Sequence, residues 1–139
     1  MKNSKKVLIL LSALIVLCGL VICCLFVINR EQTDMGFAEK GETVFVYNTT
    51  NRRETLSDED FDRIIGIFEG KKLYRDDPSC GFTADIAVKF NGAENFCIAR
   101  DTCPIVYVES KDKYFKLSEK EYSELVGILS KYGFSFPCV

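Results

Sequence analysis

Histidine is absent from all 139 residues. That removes together the commonest general base, the usual metal ligand and the simplest side-chain pH switch. The cysteines beyond residue 30 show no C-x-x-C spacing, which disfavours a thioredoxin-type redox motif or a zinc knuckle. No glycine-rich phosphate loop, nucleophile–base pair or metal constellation stands out, so the chain is not expected to be an enzyme and implies no cofactor. A basic excess is missing too. The chain carries 18 basic and 20 acidic residues, and without Lys2, Lys5 and Lys6 the balance is 15 against 20, a net of −5. Phosphate binding needs a basic face, so nucleic acid is not an expected partner.

Charge is also missing from residues 7–28, VLILLSALIVLCGLVICCLFVI, and that gap organises the chain. At about 1.5 Å per residue these 22 residues reach roughly 33 Å as a helix, enough for a bilayer core of about 30 Å. Lipid offers no partner to an open backbone amide, so helix is the form expected there. The lysines of tip 1–6 predict a cytoplasmic N-terminus and an extracytoplasmic remainder. The apolar run is longer than a signal peptide's, and the small-x-small triplet Gly36-Phe37-Ala38 lies well past it. Leu17 precedes Cys18 and Ile22 precedes Cys23, where a lipobox needs a small residue. An uncleaved anchor is therefore the favoured reading. Cys18, Cys23 and Cys24 read as small apolar side chains rather than acylation sites.

Residues 29–41, of mixed charge and little periodicity, read as a spacer, and 42–139 as one domain with one core. Two segments of that domain are near copies 61 residues apart, LSDEDFDRIIGIF from Leu56 and LSEKEYSELVGIL from Leu117. Each reads as a capped helix. Ser57 and Ser118 are N-caps, with Asp60 and Glu121 three residues on. Phe61, Ile64, Ile65 and Phe68 form one apolar stripe, as do Tyr122, Leu125, Val126 and Leu129. Gly70 and Gly133 fit left-handed C-caps.

The copies extend backward to the apolar runs 44–47 and 105–108, giving two strand–strand–helix units. Between them, Phe82, Ala84, Ile86, Val88 and Phe90 alternate with polar or small residues as a strand, and Asn91-Gly92 marks a turn back into 96–100. The expected fold class is α+β: a transmembrane helix, then an antiparallel sheet of five or six strands with two helices on one face and an internal duplication.

Cys80, Cys97, Cys103 and Cys138, an even number on an oxidising side, read as two disulfides among three possible pairings. A two-residue turn at Asn91-Gly92 sets Cys80 opposite Cys103, and a three-residue loop leaves them one position apart. Cys97 falls some 20 Å along the strand from Cys80, too far to bridge. The favoured set is Cys80–Cys103 and Cys97–Cys138.

Other clusters have plain explanations. Asp58, Glu59, Asp60 and Asp62 complement a helix start. Asp85 and Asp101 are strand charges unless they converge as a carboxylate pair. Lys71, Lys72 and Arg75 suit a helix C-terminus or lipid headgroups. Asn48-Thr49-Thr50 is a glycosylation sequon. Tyr74, Phe134 and Phe136 stand out as aromatics expected at the surface or a sheet edge.

Cys80-Gly81-Phe82, Asp101-Thr102-Cys103 and Tyr114-Phe115-Lys116-Leu117-Ser118 together give a sequence that resembles uncharacterised membrane-anchored or lipoprotein modules of Gram-positive bacteria. The resemblance covers about two-thirds of the domain and departs from the lipoproteins in lacking the lipobox. It implies an extracytoplasmic two-layer domain and no catalytic residue. The expected role is a binding or accessory module at the membrane. The alternatives are a carboxylate-based envelope enzyme or a structural envelope protein.

Overall fold

A computed structural model of the full chain describes residues 2–28 and 31–138, and within the first helix the side chains at 6, 7 and 9–25. The chain divides into two units, Met1–Glu31 and Gln32–Val139.

The first unit is one helix, α1, Lys2–Ile28. Its described large apolar side chains are 52–70 % exposed on every side of the helix. Among the described residues no helix is long and apolar enough to cross a membrane. The structure therefore does not show the membrane span expected over 7–28.

The second unit is α+β. Its elements are β1 (Gly41–Tyr47), β2 (Thr50–Thr55), α2 (Asp58–Phe68), β3 (Ile86–Phe90), β4 (Glu94–Ile98), β5 (Ile105–Val108), a 3-10 turn at Glu109–Lys111, β6 (Lys113–Lys116) and α3 (Glu119–Lys131). The six strands form one antiparallel sheet in the order β2-β1-β3-β4-β5-β6. Read from either end, the order runs outer strand, inner strand, central strand. The hairpins β1–β2 and β5–β6 flank the central β3–β4 hairpin symmetrically.

Strand alternation assigns the two sheet faces. Phe45 faces Ile86, Val88 faces Phe96, Phe96 faces Val108, and Val106 faces Phe115. These residues form the core with Ile64, Ile67 and Phe68 of α2 and Leu125, Ile128 and Leu129 of α3. The buried triplets stand 61 residues apart, position for position. They are turned slightly from the predicted stripes: Phe61, Ile65 and Tyr122 only flank the core, while Ile67 and Ile128 enter it. Both caps form on Ser57 and Ser118. Gly70 and Gly133 adopt left-handed φ of 67° and 85°, which a side chain would resist.

The central hairpin turns through Asn91, Gly92 and Ala93, so that Phe90 pairs with Glu94. This is the three-residue alternative. The incoming strand is shorter than its alternation predicts and begins at Ile86. Thr83 closes a turn there, its hydroxyl accepting from the Asp85 N–H at 3.2 Å and its carbonyl from the Ile86 N–H at 3.1 Å. Local side-chain bonding of this kind outcompetes the ladder.

The predicted spacer is largely folded. Thr33 is buried, with its hydroxyl donating to the Phe68 carbonyl at the end of α2. Met35 is 2 % exposed, in the core. Two apolar side chains, Met35 and Ala38, find room beside the helix end, which outweighs the polarity of their neighbours. Phe134, expected at the surface, is buried against Phe45 at 4.7 Å between ring centroids.

Candidate functional site

Cys80 and Cys103 form a disulfide with Cα atoms 6.6 Å apart. Asp101 caps its second half, accepting the Cys103 N–H at 2.9 Å. The two sulfurs and the Asp101 carboxylate lie within 4.8 Å of one another. A cysteine ligates a metal as its thiolate, and a disulfide has none to give, so this trio does not fit a metal as it stands.

The second expected bridge is absent. Cys97 and Cys138 are free and buried. Sheet parity explains why. Phe96 and Ile98 point into the core beside the helices, so Cys97 between them points to the opposite face, while Cys138 sits in the core. The sheet lies between the two sulfurs. Burial, with Glu109 nearby, pushes the Cys97 thiol up to about 12. Burial also raises Cys138, whose thiol donates to the Ser135 carbonyl at 2.9 Å.

The face that carries Cys97 has its own cluster. Cys97 stands opposite Tyr107, and Tyr107 opposite Tyr114. Those two rings lie 4.9 Å apart. Phe82 covers both, at 5.9 and 5.3 Å. Tyr74 joins at 6.1 Å from Tyr114, and its backbone bridges that residue along the β6 edge. Each central phenol donates to a carboxylate: Tyr107 to Asp112 at 3.0 Å, and Tyr114 to Asp77 at 3.3 Å. The bond to Asp112 holds the Tyr107 hydroxyl protonated up to about 12. Burial, then Asp77, raises Tyr114, and burial, then Asp76, raises Tyr74. These phenols are hydrogen-bond donors at neutral pH.

Beside them opens a recess of about 420 Å³ lined by Arg75, Asp77, Lys111, Asp112 and Tyr114. It offers acids, cations and one ring. A larger recess of about 500 Å³, walled by Glu39, Lys40, Glu42, Lys89 and Asn91, has no aromatic surface. The aromatic recess therefore has the better mixture of ring and polar groups for a ligand.

The predicted acids are dispersed. Asp85 serves the turn before β3, and its carbonyl accepts the Val46 N–H at 2.7 Å. Asp101 serves the disulfide turn. Of the α2 cluster only Asp60 is buried, 4 % exposed. Lys131 donates to it at 2.7 Å and Tyr132 at 2.9 Å. The Lys131 bond, against the cost of burial, holds its carboxyl below the usual range, with Tyr132 and Ser57 helping.

Glu121, the equivalent acid of α3, takes Lys71 at 2.5 Å and is lowered to about 2, first by that bond and then by the Ser118 N–H. That removes Lys71 from the basic patch. Lys72 remains exposed, and Arg75 lines the recess. Asn48 occupies the exposed β1–β2 turn with φ 52°. Cys18, Cys23 and Cys24 are free and exposed on α1.

Sequence reasoning missed the Tyr107–Tyr114–Asp77–Asp112 constellation. A partial signal was available, because the period of two that sends Val106, Val108 and Phe115 inward sends Tyr107 and Tyr114 out. No family model, curated protein or solved structure matches the chain.

Proposed function

We propose that the protein is a membrane-anchored, extracytoplasmic binding or accessory module. In this reading residues 7–28 hold it in the bilayer and the face of Tyr74, Phe82, Tyr107 and Tyr114 meets its partner. The observation that carries the reading is that face, where rings tilted against one another and proton-holding phenols border a recess with two acids and two cations. Rings with a polar rim suit recognition. The uncharged run, the lysine tip and a disulfide whose cysteines are 23 residues apart support the compartment. The symmetric strand order and matched helices support a duplicated strand–strand–helix unit.

Two features favour binding over carboxylate catalysis. The acids with displaced pKa values, Asp60 and Glu121, are both lowered and ion-paired. A general acid working near neutrality needs the opposite shift. Asp85 and Asp101, the pair that an enzyme would bring together, serve separate turns.

A photo-crosslinking residue in place of Lys111, in the full chain on intact cells, should capture a defined partner. Tyr114→Ala should abolish the capture, and the same probe at Asn48 should not reproduce it. Equal capture from Lys111 and Asn48 would remove the aromatic face from the reading. Protease added outside intact cells should degrade 42–139. A protected domain with Cys80 and Cys103 reduced would overturn the compartment.

A further inference from the structure

Phe37 is 44 % exposed and is the one large hydrophobic side chain left exposed among the described residues of the second unit. Its neighbours are not loose. Asp34 accepts the Gly36 N–H at 2.9 Å, and the Met35 carbonyl accepts the Ala38 N–H at 3.0 Å. Asn91 holds the other side. Its amide donates to the Phe37 carbonyl at 2.8 Å, and its oxygen accepts the N–H groups of Glu39 and Lys40 at 3.0 and 3.1 Å. Met35 and Ala38 on either side turn inward. Five hydrogen bonds thus fix a turn that presents a phenylalanine to the outside.

We infer that the Phe37 ring sits in the headgroup zone of the bilayer. This rests on the anchoring proposed above. Phe37 lies nine residues past Ile28, a contour of at most about 32 Å, so a chain anchored by residues 7–28 keeps it within reach of the surface. An exposed phenylalanine held at the membrane surface inserts its ring at the boundary of headgroups and acyl chains. Charge does not drive the contact: Asp34, Glu39 and Glu42 outnumber Lys40 and Lys89 nearby, so anionic lipid brings no attraction.

The chain has no tryptophan, so single reporters can be placed cleanly. The full chain carrying Phe37→Trp is reconstituted into phosphatidylcholine vesicles with and without brominated acyl chains, alongside Leu14→Trp. The Phe37→Trp emission should be blue-shifted and lose intensity to the bromines, equally in neutral and anionic vesicles. Far-UV circular dichroism of the variant should match the parent, since the substitution stays aromatic at an exposed site. Quenching at Leu14→Trp without quenching at Phe37→Trp overturns this inference and leaves the anchor standing. A blue shift without bromine quenching also overturns it, since the ring is then covered by protein, a second copy included. Loss of quenching at Leu14→Trp overturns the anchor itself.

Discussion

At the start of α2 the third residue after the cap is Asp60, and at the start of α3 it is Glu121. Glu121 reaches back to accept its cap's own N–H, from Ser118 at 2.9 Å, and completes a capping box. Asp60 is one methylene shorter. The Ser57 N–H goes instead to the Tyr132 hydroxyl at 3.0 Å, and that hydroxyl passes its proton bond on to Asp60.

The start of each helix is thus tied to the end of the other: Asp60 to Lys131 and Tyr132, Glu121 to Lys71. Between the ties, Arg63 meets its 61-residue equivalent Glu124 at 2.9 Å. Such reciprocal contacts describe a local two-fold. The comparison teaches that a repeated pattern conserves packing positions while the polar ends diverge. One methylene decides whether an acid caps its own helix or crosses to its neighbour.

Phe68→Ala should break the comparison most. Phe68 touches Phe96 and Phe115 at 5.3 Å each, so its loss should cost about 3–5 kcal/mol in denaturant unfolding of the full chain in detergent. Leu129→Ala, its counterpart, should cost less, about 2–4 kcal/mol. Equal costs would mean that the ring cluster adds nothing to the α2 side.

Asp60→Asn should lose about 1–3 kcal/mol, because a buried group then faces the Lys131 charge without its own. Glu121→Gln, half-exposed and able to keep a weaker cap, should lose under about 1 kcal/mol. The reverse ranking would overturn the assignment of Asp60 as the buried tie.

The same acids set the pH response. Both folded pKa values lie below their ordinary ones, so their stabilisation is complete above pH 5 and is lost as pH falls. The Glu121 share disappears between about 4.5 and about 2. Unfolding midpoints of Asp60→Asn should fall less steeply with acid than the parent's. A parallel slope would show that Asp60 is not held ionised. Smallest of all, a double-mutant cycle on Arg63 and Glu124 should give about 0.2–0.5 kcal/mol of coupling, since both side chains are over a third exposed.

Much of this was legible in the residues because local physics wrote it. The Ser57 and Ser118 caps, the glycine stops, the α+β class and the nearness of Cys80 to Cys103 follow from spacing and period. The Cys97–Cys138 pairing failed because it was reached by elimination, and elimination says nothing about which face of a sheet a sulfur occupies. The spacer reading failed because Met35 and Ala38 are too sparse to show periodicity, yet each finds a partner surface once α2 is in place. Asp85 and Asp101, read as strand charges unless they converged, do not converge: Asp85 sits in the Thr83 turn before β3, and Asp101 accepts the Cys103 N–H.

By itself the sequence determined the uncharged 22-residue run, the two capped helices and their 61-residue repeat, since these depend only on neighbours a few positions away. Tertiary structure alone decided that the central hairpin would split the sheet evenly and that the two helices would exchange ties end to end. It also decided that Tyr74, Phe82, Tyr107 and Tyr114 would gather on the face away from the core. Those outcomes require strands distant in sequence to lie side by side. That pairing is set by how all the apolar faces close over one core at once.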